Sequence, residues 1–137
     1  WFLNKRSAWA AYWERDDALS RTELGFPSTA SADVLRRYAG DLPAWPPDGP
    51  YWMHSMSWYY DTTCVRLRDR IKQLPPEEHL DRFAAITQEE QSECLALAAQ
   101  ACKARFPRCA AFLVWMGHDA FPCPVNTSTR LYQRRFR

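Results

Sequence analysis

The sequence predicts an α/β fold with parallel strands, and three neighbouring features of the chain support this prediction. The clearest helix, from about residue 88 to residue 105, carries its apolar side chains on one face. A short link at Phe106 and Pro107 follows, and residues 110–115 are then apolar or small without interruption. A helix, a short link and an all-apolar strand form the second half of a parallel β-α-β unit. The length of 137 residues and the hydrophobic fraction of 47% fit a single globular domain.

The amino-terminal third is predicted to contain two short helices with a strand between them. Residues 7–17 are predicted to form the first helix. A strand over residues 18–23 is predicted because Gly25 and Pro27 force a turn directly after it. The second helix is predicted over residues 31–40, where a serine can cap its start and a glycine can end it.

The middle of the chain is rich in proline and aromatic residues. Residues 41–60 contain four prolines and six aromatic residues, which predicts a long irregular loop with an ordered, functional or packing role. Some of its side chains either form the wall of a ligand pocket or pack the loop itself: Trp45, Trp52, His54 and Trp58. A helix is predicted next over residues 62–74, because two prolines follow it directly.

The long helix is predicted to start at a capping box. In Thr87-Gln88-Glu89-Glu90, the threonine hydroxyl and a glutamate carboxylate can each satisfy backbone N–H groups of the first turn. The apolar stripe that follows has the spacing of one buried helix face, and its members are Cys94, Leu95, Ala98, Ala101 and Cys102.

Charge and cysteine spacing exclude several classes of function. The net charge is +2, and four arginines lie in the last eight residues. The basic character therefore belongs to the end of the chain, and no basic face for nucleic acid is predicted on a folded element. No stretch approaches 18 apolar residues, so no membrane partner is predicted. The cysteine gaps match no zinc pattern, so buried free thiols are expected, with no metal site and no cofactor.

Two stretches of the chain occur in the order and spacing of one enzyme family. Residues 21–28 read RTELGFPS, and residues 88–124 read QEEQSECLALAAQACKARFPRCAAFLVWMGHDAFPCP. Over about residues 19–129 the chain resembles the carboxyl-terminal half of the glycoside hydrolase family 2 catalytic barrel. The closest likeness is to the β-mannosidase-like and related exo-β-glycosidase branches of that family.

The resemblance implies a fold and a catalytic residue. The fold would be the carboxyl-terminal part of a (β/α)₈ TIM barrel, comprising strands seven and eight with their helices. In the family, a Ser-Glu-x-Gly motif closes strand seven and carries the nucleophile. The matching residues here run from Thr22 to Gly25, so Glu23 is the expected nucleophile of a retaining β-glycosidase. A Gln-x-x-Gln-x-Glu helix start precedes strand eight in the family, and here Gln88, Gln91 and Glu93 match it.

The resemblance also implies that the substrate binds at the end of strand eight, which in the family reads Trp-x-x-Asn-Asp before a proline. Trp115 and Asp119 match this motif, while His118 stands in place of the asparagine and leaves the preferred sugar open. Trp115 would offer a flat face to a sugar ring, with core packing as the alternative. Asp119 would accept hydrogen bonds from hydroxyl groups, and His118 would donate one or support its neighbours. Further expected substrate-binding side chains come from the proline-rich loop: Trp52, His54 and Trp58.

The general acid/base expected in this family is missing from the chain. The family carries it in an Asn-Glu pair on strand four, but Asn4 and Asn126 are the only asparagines here and neither precedes a glutamate. A full barrel has about 250 residues. The expectation is that residues 1–137 form part of a catalytic barrel, inactive alone, with a carbohydrate substrate and the remainder of the parent glycosidase as partners. The alternative is a degenerate carbohydrate-binding relative without catalysis.

Overall fold

The structure is a computed structural model that describes residues 6–53, 65–115 and 125–126. Its elements in chain order are α1 (Arg6–Arg15), β1 (Ser20–Leu24), β2 (Ser28–Thr29), α2 (Ala32–Tyr38), α3 (Val65–Ile71), α4 (His79–Ala104), β3 (Ala111–Val114) and β4 (Val125–Asn126). A 3₁₀ turn over Pro76–Glu78 leads directly into α4. None of the helices described is long and apolar enough to cross a membrane.

Strands β1 and β3 pair in parallel, as the sequence predicts. Ser20 lies opposite Ala111, and Leu24 lies opposite Val114. The pairing is closed at its far end by the Trp115 N–H, which donates to the Leu24 carbonyl over 2.7 Å. The parallel pairing is therefore confirmed, with β1 ending one residue later than expected. This sheet has two strands among the described residues, so the TIM barrel itself stays a prediction.

Helix α4 starts at His79, so the predicted start at Thr87 is wrong. The stripe of buried side chains continues upstream through Leu80, Phe83 and Ala84 with unbroken helical spacing. Polar Thr87 and Gln91 occupy the same buried face, where they interrupt the apolar pattern that sequence analysis follows. The Thr87 hydroxyl does not cap a helix: it lies inside α4 and donates to the Ala84 carbonyl of the preceding turn.

The buried polar residues of α4 hold the segment between β1 and the start of α2. Thr87 Oγ1 lies 3.0 Å from Thr29 Oγ1 and accepts the Thr29 N–H over 3.3 Å. Gln88 Nε2 donates to the Thr29 carbonyl over 3.1 Å, and Gln91 Nε2 donates to the Phe26 carbonyl over 2.7 Å. These hydrogen bonds, which we call the polar seam, satisfy backbone groups that burial would otherwise leave unpaired.

The polar seam separates two apolar cores that share α4. The first core surrounds the amino-terminal half of α4, and its most deeply buried members are Leu35, Trp52, Leu67, Ile71 and Phe83. The second core surrounds the carboxyl-terminal half, and it comprises Trp9, Trp13, Leu24, Cys94, Leu95, Ala98, Cys102 and Cys109. Each of α1, β1 and α2 therefore buries its apolar face against the same helix, which at 26 residues spans about 39 Å.

A buried carboxylate joins the end of α1 to the end of α4. The Asp16 side chain is 2% exposed and forms ion pairs with Arg21 and Arg105. Arg105 also donates to the Asp16 backbone carbonyl. The Arg21 guanidinium lies over the rings of Tyr12 and Trp13, 5.5 and 5.6 Å from their centroids. We call Asp16, Arg21 and Arg105 the Asp16 clamp, because they fix the loop before β1 against the link before β3.

A second ion pair, on the surface, makes a testable contribution to acid stability. The Arg36 side chain donates to the Asp81 carboxylate, and this hydrogen bond holds the pKa of Asp81 below its ordinary value of 3.8. Because the folded-state pKa is lowered, the stabilisation is present above the ordinary pKa and is lost as pH falls through the folded pKa.

We expect Asp81→Asn to lower the free energy of unfolding at pH 7 by less than about 1 kcal/mol, since the Asp81 side chain is 55% exposed. The difference between wild type and variant should shrink as pH falls through the lowered pKa of Asp81. Urea unfolding at pH 7 and at acidic pH measures this difference. Asp33→Asn is the surface control, because Asp33 is 96% exposed and approaches the same Arg36 only to 3.6 Å. A difference that persists unchanged at low pH would contradict the assignment.

Candidate functional site at the carboxyl ends of the parallel strands

The carboxyl ends of β1 and β3 bring Glu23 and Trp115 to the same edge of the sheet. Glu23 lies one residue before Leu24, and Trp115 lies one residue after Val114, the partner of Leu24. The register shifts between Arg21 and Leu24, where β1 uses one residue more than β3 does. Such an irregularity re-aims side chains and is frequent beside active sites. At this edge it falls on Thr22 and Glu23.

The Glu23 side chain is exposed at this edge. Among the described residues it makes no ion pair and no side-chain hydrogen bond. Its neighbours along the chain, Leu24 and Gly25, are buried, so the backbone that carries it is held in the core while the carboxylate faces outward. Both carboxylate oxygens are therefore open to a ligand, and among the described residues no hydrogen bond joins Glu23 to a second carboxyl group.

Apolar side chains lie exposed around the parallel pair. Trp115 is 42% exposed, Leu113 on β3 is 55% exposed, and Leu19 just before β1 is 68% exposed. The opposite side of the pair packs against the second core through Leu24 and Phe112. Since parallel sheets are normally covered on both faces, the exposed face has the composition of a surface that another layer covers.

The proline-rich segment places its two described tryptophans in the first core. Trp52 is 2% exposed, and its indole N–H donates to the Ala44 carbonyl over 2.9 Å. Trp45 and Trp52 both meet the Phe83 ring, with centroids 5.3 and 5.8 Å away. In this structure Trp52 therefore presents no face to a sugar. Residues 50–53 are helical, so the prediction of an irregular loop is wrong for these four positions, where Pro50 fits the first turn.

Four of the predicted substrate-binding residues lie outside the described part of the chain: His54, Trp58, His118 and Asp119. Their roles stay predictions. Of the predicted site residues that are described, the structure brings Glu23 and Trp115 to one edge and places Trp52 elsewhere.

The two glutamines that match the family's helix motif bind the protein backbone. Gln88 and Gln91 lie on the third and fourth turns of α4, and their amides bind the backbone of Thr29 and Phe26. Gln91 thus anchors the chain three residues after Glu23. The motif supports the candidate site through the backbone, since it holds the segment that leaves β1.

Two surface cavities lie away from this edge. One, of about 510 Å³, is lined by α1 and the Asp16 clamp, including Tyr12, Arg15 and Arg21. The other, of about 430 Å³, lies between the end of α4 and the start of β3, and Cys102 and Cys109 line it. Neither cavity is lined by Glu23 or Trp115. Within the part of the chain that the structure describes, no three metal-binding side chains form a group.

The cysteines that the structure describes are buried and not disulfide-bonded: Cys94, Cys102 and Cys109. The expectation of buried free thiols is confirmed for these three. Burial raises the pKa of the Cys102 thiol above its ordinary value of 9.0, and a hydrogen bond with Arg105 opposes this effect. Cys64 and Cys123 lie outside the described residues.

The Asp16 clamp is the feature that sequence analysis missed. Asp16 and Arg105 are 89 positions apart, and neither stands in a motif. A pair of aspartates after a helix is usually solvated, so no local signal distinguishes the buried Asp16 from the exposed Asp17.

In comparisons with protein-family models, curated proteins and solved structures, the chain has no match. The likeness to the glycosidase family therefore depends on the motifs quoted above and on the positions that their residues occupy.

Proposed function

We propose that this chain is part of the catalytic barrel of a retaining β-glycosidase of glycoside hydrolase family 2, in which Glu23 is the nucleophile. The supporting observation is the parallel pairing of β1 with β3, which puts Glu23 and Trp115 at one carboxyl edge. In β/α barrels the catalytic side chains come from the carboxyl ends of neighbouring strands. The irregular register at Thr22 and Glu23 adds a reason for the carboxylate to leave the regular alternation of the strand.

The chemistry assigns separate roles to the two residues. Glu23 attacks the anomeric carbon of the sugar and forms a covalent glycosyl ester, while an acid elsewhere protonates the leaving oxygen. Water then cleaves the ester with the help of the same acid, now acting as a base. Trp115, exposed on one face of the edge, packs against the apolar C–H surface of the ring.

The acid/base carboxyl group comes from the remainder of the parent chain in this proposal. Retaining enzymes hold their two carboxyl groups about 5–5.5 Å apart, so it must approach Glu23 from a neighbouring strand. The exposed apolar face around Leu19 and Leu113 supports this view, because further strands and helices of a barrel would cover it.

Covalent labelling of the intact parent enzyme tests the proposal. A fluorinated glycoside with a good leaving group forms the ester quickly and hydrolyses slowly, so the nucleophile stays labelled. Trypsin releases residues 22–36, whose mass increases by one fluorosugar, and fragmentation of this peptide distinguishes Glu23 from Asp33, its other carboxylate side chain. The exposed Glu14 lies in another peptide and serves as the internal control.

A label on any other carboxylate would contradict the role of Glu23. Sugar binding without turnover or labelling in the intact protein would instead favour the degenerate carbohydrate-binding relative.

A further inference from the structure

The second core contains two thiols that flank the link between α4 and β3. Cys102 lies in the last turn of α4, and Cys109 lies two residues before β3. They are 3% and 5% exposed, and they share one cavity of about 430 Å³ with Lys103, Phe106 and Phe112. This cavity belongs neither to the candidate glycosidase site nor to the Asp16 clamp's own cavity.

The backbone of the link brings these thiols together. The Arg105 N–H donates to the Cys102 carbonyl, and the Cys109 N–H donates to the Arg105 carbonyl, each over 3.2 Å. Two successive turns therefore return the chain to the end of α4, where Cys102 and Cys109 line the same cavity. Arg105 Nη2 lies 3.7 Å from Cys102 Sγ, and Cys109 Sγ lies 3.7 Å from the Ala111 carbonyl oxygen.

We infer that Cys102 and Cys109 form a dithiol site that is oxidised to an intramolecular disulfide by small-molecule disulfides such as oxidised glutathione. Both residues belong to the same core and line the same cavity, which gives the two sulfur atoms room to approach the bonding distance of about 2.05 Å. The shared cavity opens at the surface and gives the oxidant a path to them. The third described cysteine, Cys94, lies eight residues before Cys102, about 12 Å along the helix axis, and is too far away to join it.

The reaction proceeds by two thiol–disulfide exchanges. One of the two protein thiolates attacks a sulfur of oxidised glutathione, forms a mixed disulfide and releases one molecule of reduced glutathione. The other protein thiolate then attacks the protein sulfur of the mixed disulfide and releases the second molecule of reduced glutathione. The protein loses two electrons and two protons, and oxidised glutathione gains them.

Oxidation of the full chain followed by peptide mapping tests the inference. The folded protein is incubated with oxidised glutathione at about pH 8.5, where thiolate forms more readily, and the remaining thiols are then blocked. Trypsin separates Cys102 from Cys109, since Lys103, Arg105 and Arg108 lie between them. We expect the peptides 83–103 and 109–130 to be joined, with fragmentation assigning the bond to Cys102 and Cys109.

Matched variants separate this pair from the other cysteines. Cys94→Ser should leave the joined peptides in place, while Cys102→Ser and Cys109→Ser should each abolish them. In concentrated urea the same oxidation should lose its preference for this pair, because the fold that holds the thiols together is gone. The wild-type map decides the question even if a serine variant does not fold. A bond to Cys64, Cys94 or Cys123, or mixed disulfides alone, would overturn the inference.

Discussion

Glu23→Gln in the intact parent enzyme is expected to lower kcat by about 10⁴-fold or more. The amide is nearly isosteric with the carboxylate but cannot attack the anomeric carbon, so no covalent ester forms. Glu23 is exposed and, among the described residues, takes part in no ion pair, so its replacement should leave the fold intact. Steady-state kinetics with a chromogenic β-glycoside measures the loss, and circular dichroism checks the fold.

Asp119→Ala is the comparison variant for this prediction. Asp119 is expected to accept hydrogen bonds from sugar hydroxyl groups, which stabilise the transition state without forming the ester. Its loss should therefore cost activity less than Glu23→Gln does. Normal activity in Glu23→Gln, or a larger loss in Asp119→Ala, would reject the assignment of Glu23 as nucleophile. The chain alone is expected to show no turnover, because it lacks the family's acid/base glutamate.

Asp16→Ala is expected to destabilise the fold by about 3 kcal/mol. The substitution leaves Arg21 and Arg105, whose side chains are 29% and 21% exposed, without the carboxylate that pairs with both. Removing one partner of a buried ion pair costs more than the pair contributes, because an uncompensated charge stays behind. Such a loss is a large fraction of the stability of a domain of this size.

Urea unfolding of wild type and of Asp16→Ala, monitored by circular dichroism, measures this effect. The matched control is Asp17→Ala, because Asp17 is the next residue and is exposed. Asp17→Ala should change the free energy of unfolding by no more than about 0.5 kcal/mol. Equal effects of the two substitutions would show that the Asp16 clamp does not stabilise the fold.

Local pattern was enough to predict β1, β3, their parallel pairing and the apolar stripe of α4. These features depend on side-chain period and on chain connection, which a single sequence displays directly. The start of α4 was not predictable in the same way, because Thr87 and Gln91 occupy buried positions that the pattern assigns to apolar residues. The Thr87 segment has the sequence of a capping box, but its partners are Ala84 and Thr29, and Thr29 is 58 positions away.

The candidate site is likewise predictable only in part from the sequence. Family motifs pointed to Glu23 and Trp115, and the pairing of β1 with β3 puts them at one edge. The same reasoning could not tell that Trp52 is a core residue, because an aromatic ring on a proline-rich segment has the same sequence signature in a pocket wall and in a core. Burial depends on Phe83 and Ala44, which contact Trp52 only in the folded chain.

The polar seam has a consequence for how accurately Glu23 is located. An apolar stripe repeats along a helix, so packing alone would tolerate α4 sliding by one turn, about 5.4 Å. A slide would separate Gln91 from the Phe26 carbonyl and Thr87 from Thr29, leaving buried polar groups unpaired at about 1–3 kcal/mol each. Phe26 lies three residues after Glu23, so these hydrogen bonds fix the end of β1 at one position along α4. Catalytic groups must be held within about 0.5 Å of their working positions. Directional hydrogen bonds can supply this precision, and apolar contacts alone cannot.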